Sequence, residues 1–444
     1  LPSGAAPDFL PRPVRVPAQR FRGLAPDATP VCQAMRSVTK YDVVIAGAGP
    51  AGLATALYLL RSRPDFAARI VALEKSRHPR VKVCAGGLIP KTMLALRELG
   101  LELEVPAVEV VRGVARTEVG DVDMYRGDPL CTVVRRDEFD ASLARAARQA
   151  GLEIIENCRL LDVAQSQGEV RLTTDRGIFE TGLVVGCDGS GSRVRASIFG
   201  QAKESVGRAV MTDLPVDPER TPEFLERRYR FDFRCVGAGV SGYAWSFPCL
   251  IGGRPHLNLG IYDQLPPHRG GDGARTGVLL EELRRAFPEL ALEALGKSAG
   301  TFKAFPIRWF NAAERFTRGH VMLAGDAAGV DPLMGEGISC AFEHGRIAAL
   351  AIADFLQGDA DALARYDREL HQGALGRKLR MLAFAARRFY GPRHRWFFRL
   401  ARISRKAQQV GVDWFNGAEH FDELPITALV AKWVGAVLFD RPVR

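Results

Sequence analysis

The sequence contains no apolar run of the roughly 18 residues that a membrane-crossing helix needs; its greasiest late stretch, 424–439, is short and interrupted by Lys432. A spanning segment is therefore not expected. Neither C-x-x-C nor H-E-x-x-H occurs among eight scattered cysteines and eight histidines, so no metal site and no disulfide framework is assigned. That cysteine usage fits a reducing cytoplasm. Acidic residues are missing from one place in particular: residues 377–406 hold eleven Lys and Arg with no Asp or Glu, which accounts for the formal charge of +10 and leaves the rest near neutral. Residues 1–39, rich in Pro, Ala and Arg, lack an apolar core and any periodicity. They read as a disordered or non-native extension outside the fold, with an acid-poor transit peptide as the alternative.

What is present begins with "YDVVIAGAGPAGLATALYLLRSRPDFAARIVALEKS". An apolar strand (43–46) runs into Gly47-x-Gly49-x-x-Gly52, a helical stretch to about Arg63, and a second strand (70–73) ending at Glu74. Gly47 permits the tight turn, Gly49 lets a pyrophosphate approach the backbone, and Gly52 lets helix and strand pack closely. The helix start offers free N–H groups to an anion, and Glu74 can accept from ribose hydroxyls. Such a βαβ unit binds a dinucleotide, NAD or FAD.

Three later stretches narrow the choice. "LVVGCDGSGSRVR" sets a strand before Asp188-Gly189, and "VVRRDEFDASLARAA" contributes Arg136. "GHVMLAGDAAGVDPLMGEGISCAFEHGRIAA" sets a strand before Gly325-Asp326, then Gly335, Gly337 and an apolar helix from Ile338. Together the segments resemble the flavoprotein superfamily that includes p-hydroxybenzoate hydroxylase, whose FAD site is assembled from distant parts of the chain. A strand-end carboxylate such as Asp326 suits the ribityl chain, and a glycine-flanked helix start suits flavin carbonyls and phosphate.

Within that superfamily the chain resembles the geranylgeranyl reductases. The resemblance is carried by "LEKSRHPRVKVCAGGL", "YAWSFP" followed by "NLGI", and "DPLMGEGI". Where that family usually shows C-G-G-G, Cys84-Ala85-Gly86-Gly87 stands here. The implied fold is α/β, an α+β two-domain flavoprotein: a Rossmann-type FAD-binding domain (40–204 and 300–358) with an inserted antiparallel β-sheet substrate domain (205–299). A basic helical region (359–444) follows. Alternation in "GYAWSFP" sends Tyr243, Trp245 and Phe247 to one face, and Pro248 is expected to end that strand. On residues alone the three rings read as core or as a ligand wall; the resemblance implies a substrate cavity beside the flavin. "RRYRFDFRC" alternates in the same way, as a strand with one wet face.

The implied activity is an FAD-dependent reductase that saturates isoprenoid C=C bonds of geranylgeranyl or other polyprenyl groups by hydride transfer from reduced flavin. Cys84 is the candidate proton donor or positioning thiol, against the reading of a buried inert cysteine. No second G-x-G-x-x-G marks a resident NADPH domain, so NADPH or a ferredoxin-like donor would reduce the flavin transiently. Rival readings are a flavin monooxygenase or halogenase of an aromatic metabolite, and a quinone-linked electron-transfer flavoprotein. Halogenases carry a related W-x-W-x-I-P stretch, from which Tyr243 and Phe247 depart. The apolar prenyl-type substrate and the basic segment together imply a cytoplasmic enzyme that touches anionic membrane through 377–406; a solvated helical bundle is the alternative for that segment. No nucleic-acid motif accompanies the charge.

Overall fold

The strand Val38–Ala46 is the centre of the first sheet, parallel to Ile70–Leu73 on one side and to Gly177–Gly186 on the other. Glu153–Ile155 and Val321–Leu323 extend it at either end, again in parallel. The computed structural model describes residues 38–417 apart from 167, 201–204, 265–271, 291–301 and 403, with 427–428, 431 and 434–435 beyond. The expected N-terminal extension, nearly all of it, and most of the Gly- and Pro-rich stretch 265–275, which reads from its sequence as a loop, lie outside the described residues. Val43, Val44, Ile45, Leu183, Val184 and Val185 are all fully buried. A parallel sheet covered on both faces needs continuous apolar runs rather than alternation, which is how these strands read in sequence. The helix Pro50–Ser62 packs on the long helix Ile338–Leu356.

A second sheet has seven strands in the order Lys303–Arg308, Val206–Pro215, Arg254–Asp263, Gly242–Ile251, Arg228–Asp232, Arg112–Arg116, Val122–Tyr125. It is antiparallel except where Arg228–Asp232 runs parallel to Arg112–Arg116. Its strands come from both sides of 205–299: the hairpin 112–125 precedes that range and Lys303–Arg308 follows it. The two faces differ. Val210, Ala244, Leu257, Leu259 and Ile261 pack under the helix Asp272–Ala286 with Leu279, Leu283 and Phe287, whereas Ala209, Met211, Tyr243, Trp245 and Phe247 face the other way.

Two expectations about this sheet are corrected. The polar side of Arg228–Asp232 is not wet: Arg230 and Asp232 are buried, because the short helix Pro222–Leu225 and the segment around Phe287 cover them. There Arg230 donates from Nε to Glu223 at 2.6 Å and lies over the Phe287 ring, so buried charge is matched by a buried partner. Nor does Pro248 end its strand, which continues to Ile251. Gln264 donates its N–H to the Ser241 carbonyl at 2.8 Å, so odd-numbered residues of the strand bond to Arg254–Asp263 and even-numbered ones point to the opposite edge. Pairing on that opposite edge already stops at Ser246, so the donor that Pro248 lacks is not needed.

A small third sheet joins Gly87–Leu88, Cys131–Val134 and Ala107–Val110 between the two larger ones. The C-terminal region is helical as expected, with Ala362–Gln372, Ala374–Phe389, His394–Arg402 and Arg405–Asn416. Among the described residues no helix is long and apolar enough to cross a membrane.

Candidate active site

One cavity of about 980 Å³ runs from the glycine turn of the first sheet to the aromatic face of the second. Of the residues expected from sequence, Gly47, Gly49, Glu74, Cys84, Arg136, Asp188, Gly189, Asp326, Gly335, Gly337, Ile338, Tyr243, Trp245 and Phe247 line it. Gly52, Gly325 and Pro248 do not. Gly52 lies behind the turn, where a Cβ would fall 2.0 Å from the Gly47 carbonyl oxygen; Gly47 itself has φ +108° and could carry no Cβ beside Cys187. These two glycines shape the tract rather than line it together.

At the polar end the helix Pro50–Ser62 starts at Gly49 with no side chain among the described residues capping its first turn, so its N–H groups and positive dipole end are free for an anion. Glu74 follows the second strand and accepts from the N–H of Ala48 and of Ser76, each at 3.1 Å. A carboxylate has further lone pairs, which leaves acceptor capacity. Behind it stands a buried charge cluster that the sequence reading did not assemble. Arg136 donates to both oxygens of Asp140 at 2.8 and 3.1 Å, and Arg80 lies 3.4 Å from both Asp140 and Glu74. Arg136 also lies against Cys84. Burial opposes its charge, while Asp140 and Cys84 hold it on. The i,i+4 spacing of Arg136 and Asp140 was the available signal.

Asp188 turns out to cap a helix: its Oδ2 accepts from the N–H of Arg193 and Val194 at 2.6 and 3.1 Å, while its Oδ1 is buried with no hydrogen-bond partner among the described residues. Asp326 accepts from the Ser190 hydroxyl at 3.3 Å and stands 4.0 Å from Lys82. At the start of Ile338–Leu356, Glu336 accepts from the N–H of Ser339 at 2.8 Å. Nearby Asp331 accepts from the N–H groups of Leu333 and Met334 and is pushed up to about 7 by burial, which outweighs those two hydrogen bonds.

At the apolar end Tyr243, Trp245 and Phe247 are 6, 6 and 7 % exposed. They are joined by Tyr229 and Phe231 of the neighbouring strand and by Phe233 just beyond it: Phe231 meets Tyr243 edge-on at 5.0 Å and Phe247 at 5.5 Å. Trp245 lies flat across the next strand, where a Cβ on Gly260 would sit 2.1 Å from its ring, and donates Nε1–H to Asn258 at 2.8 Å. Asn258 in turn donates to Asp213. The "NLGI" stretch thus seats the "YAWSFP" stretch: one residue ties the indole and another leaves room for it.

The cavity is roofed by the basic helices, through Ala385, Phe389, Val412, Trp414 and Phe415. They are clasped to the turn of hairpin 112–125, where Glu118 accepts from Arg395 at 2.6 Å and faces His394 at 2.8 Å. Arg402 donates to the Val119 and Asp121 carbonyls. The sequence marked this region as basic and helical but not which surface it covers.

The tract fits a dinucleotide. Among the described residues no atom lies where a side chain would project from Gly189 or Gly191, and Gly49 meets only Arg80 there. An uncapped helix start, a spare buried oxygen on Asp188 and an acceptor at Glu74 are a donor and acceptor set suited to phosphate and ribose. Residues 40–375 match the model of a family described as FAD binding domain. The chain belongs to that family. This flavoprotein is 28 % identical over 331 residues to a menaquinone reductase of Mycolicibacterium smegmatis, covering 70 % of this chain and 76 % of that one. It is 28 % identical over 363 residues to a digeranylgeranylglycerophospholipid reductase of Methanocella arvoryzae, covering 77 % and 85 %. A geranylgeranyl bacteriochlorophyll reductase-like structure from Thermoplasma acidophilum shares the fold with a TM-score of 0.67 at 19 % identity, over 91 % of this chain and 98 % of that one. The chain is an FAD-dependent oxidoreductase resembling the geranylgeranyl reductases.

Proposed function

We propose that this flavoprotein saturates isolated C=C bonds of a prenyl chain. The observation that carries this reading is the set of six aromatic rings facing the same cavity as the nucleotide tract, with no charged side chain among them. Gly47, Gly49, the start of Pro50–Ser62 and Glu74 would hold the adenosine diphosphate of FAD. Asp188, Gly189, Asp326 and the residues Gly335 to Ile338 would hold its ribityl and ring portions, and Arg136 would support the site through Asp140. Reduced FAD supplies a hydride.

The chain's own residues supply the rest. An isolated trisubstituted alkene accepts hydride only as positive charge develops at its tertiary carbon. Faces of Tyr243, Trp245, Phe231 and Phe247 stabilise such charge by about 2 kcal/mol per ring when water is excluded. The Cys84 thiol, which accepts from the Gly86 N–H at 3.4 Å and lines the cavity, would carry the proton at Sγ. The electron donor would be NADPH or a ferredoxin-like protein visiting transiently. A membrane surface would supply the substrate: Phe384, on a helix that roofs the cavity, and Trp396, on the basic helix that follows it, are 54 and 57 % exposed. Binding to anionic but not neutral liposomes, weakened by salt, is the expected outcome for that contact.

The deciding experiment incubates dithionite-reduced holoprotein with geranylgeranyl lipids and weighs the products. Two hydrogens gained per reduced bond is the expected result; unchanged mass across all prenyl substrates, with reduced FAD present, rejects the reading. A quinone route would show instead as rapid flavin reoxidation with no alkene consumed.

A further inference from the structure

Lys82 is a largely buried cation with too few partners. Its side chain is 19 % exposed, its ammonium lies 3.7 Å from the centre of the Phe305 ring, and Asp326 stands at 4.0 Å. Among the described residues it makes no hydrogen bond. An ammonium carries three donors, and withdrawing it from water without acceptors is costly. The ring contributes about 2 kcal/mol but accepts no hydrogen bond of ordinary strength, and an ion pair at that separation does not replace hydration. Burial pushes the group's pKa down, Asp326 works against this, and Arg136 and Arg80 add to the depression.

The position gives the deficit a meaning. Lys82 lines the cavity where the first sheet passes into the second: Asp326 follows a strand of the first, and Phe305 belongs to a strand of the second. Glycines 86 and 87 and Cys84 follow it directly in sequence and line the same wall. This is the junction between the polar tract and the aromatic rings, where the part of FAD that gains charge on reduction would lie. Two-electron reduction leaves the isoalloxazine more negative at neutral pH, and a nearby cation in a site of low dielectric favours that form.

We propose that Lys82 pairs with the isoalloxazine of bound FAD and raises its reduction potential. The inference rests on FAD occupancy, not on the identity of the substrate. It is tested on the holoprotein without any substrate, so its failure and that of the prenyl reading are separable. Midpoint potentials of wild type, Lys82→Met and Lys82→Arg are measured against a reference dye, with FAD retention followed by the visible spectrum. The Met variant is expected to keep FAD but to be harder to reduce, by about tenfold or more in the ratio of reduced to oxidised flavin at fixed potential, or about 30 mV for a two-electron couple. The Arg variant, which keeps the charge, stays near wild type. An unchanged potential in the Met variant overturns the proposal, and so does an equal fall in both variants, which would report packing rather than charge. Loss of FAD binding by the Met variant would assign Lys82 to anchoring and overturn it as well.

Discussion

At its polar end the cavity is walled chiefly by backbone: two glycines bring a turn against a strand, a helix starts uncapped, and Glu74 is fixed by local N–H groups. At its apolar end it is walled by side chains from separate strands and from the last helices, held by contacts such as Trp245 with Asn258 and Phe233 with Phe398. A site built from backbone is encoded where it stands in the chain. A site built from side chains is encoded in pairings between distant segments, and it changes by substitution without disturbing the fold. The first end suits a fixed cofactor and the second a substrate that differs between relatives.

The contrast can be broken most severely at Gly52. Gly52→Val would place atoms on the Gly47 carbonyl, and a loss of about 3 kcal/mol or more, with loss of yellow colour, is expected by denaturant titration and absorbance. Gly260→Val strikes the other end: displacing Trp245 should cost about 1–3 kcal/mol, retain FAD, and lower turnover of a prenyl substrate on the order of tenfold. Retention of flavin in the second variant but not the first is the outcome that upholds the division. Asn258→Leu unpairs the buried indole N–H and takes one donor from Asp213, which keeps Arg135, for an expected loss of about 1–3 kcal/mol with the flavin spectrum unaltered.

The smallest effect belongs to the roof. Glu118 is held down to about 2 chiefly by Arg395, with burial opposing and His394 assisting. Its folded pKa lies below the ordinary value of 4.5, so its contribution is complete above about pH 4.5 and is lost as pH falls toward 2. Tryptophan emission, reporting Trp414 in the cavity and Trp396 outside, should shift over that window in the wild type. In Glu118→Gln the shift should be absent and the roof looser by about 0.2–1 kcal/mol.

The same contrast governs what could be read from the sequence. Gly47, Gly49, Glu74 and the strand-end segments at 188 and 326 were legible because each motif is local and falls on the boundary of a strand. The alternation of Tyr243, Trp245 and Phe247 gave their common face, but not that Phe231 and Tyr229 join them, since pairing of two strands leaves no mark in either. Arg230 and Asp232 were misread as wet because nothing in "RRYRFDFRC" says that Pro222–Leu225 and Phe287 will cover that side. Lys82 stands inside a quoted motif, yet its isolation from acceptors exists only in three dimensions.

The second sheet borrows Arg112–Arg116, Val122–Tyr125 and Lys303–Arg308 from the flanks of the segment that supplies its middle. Residues 205–299 on their own are four strands with both margins stripped, and transplanting that piece into another flavoprotein would import half a wall. Any attempt to swap substrate preference between relatives must therefore carry three separate stretches of chain at once.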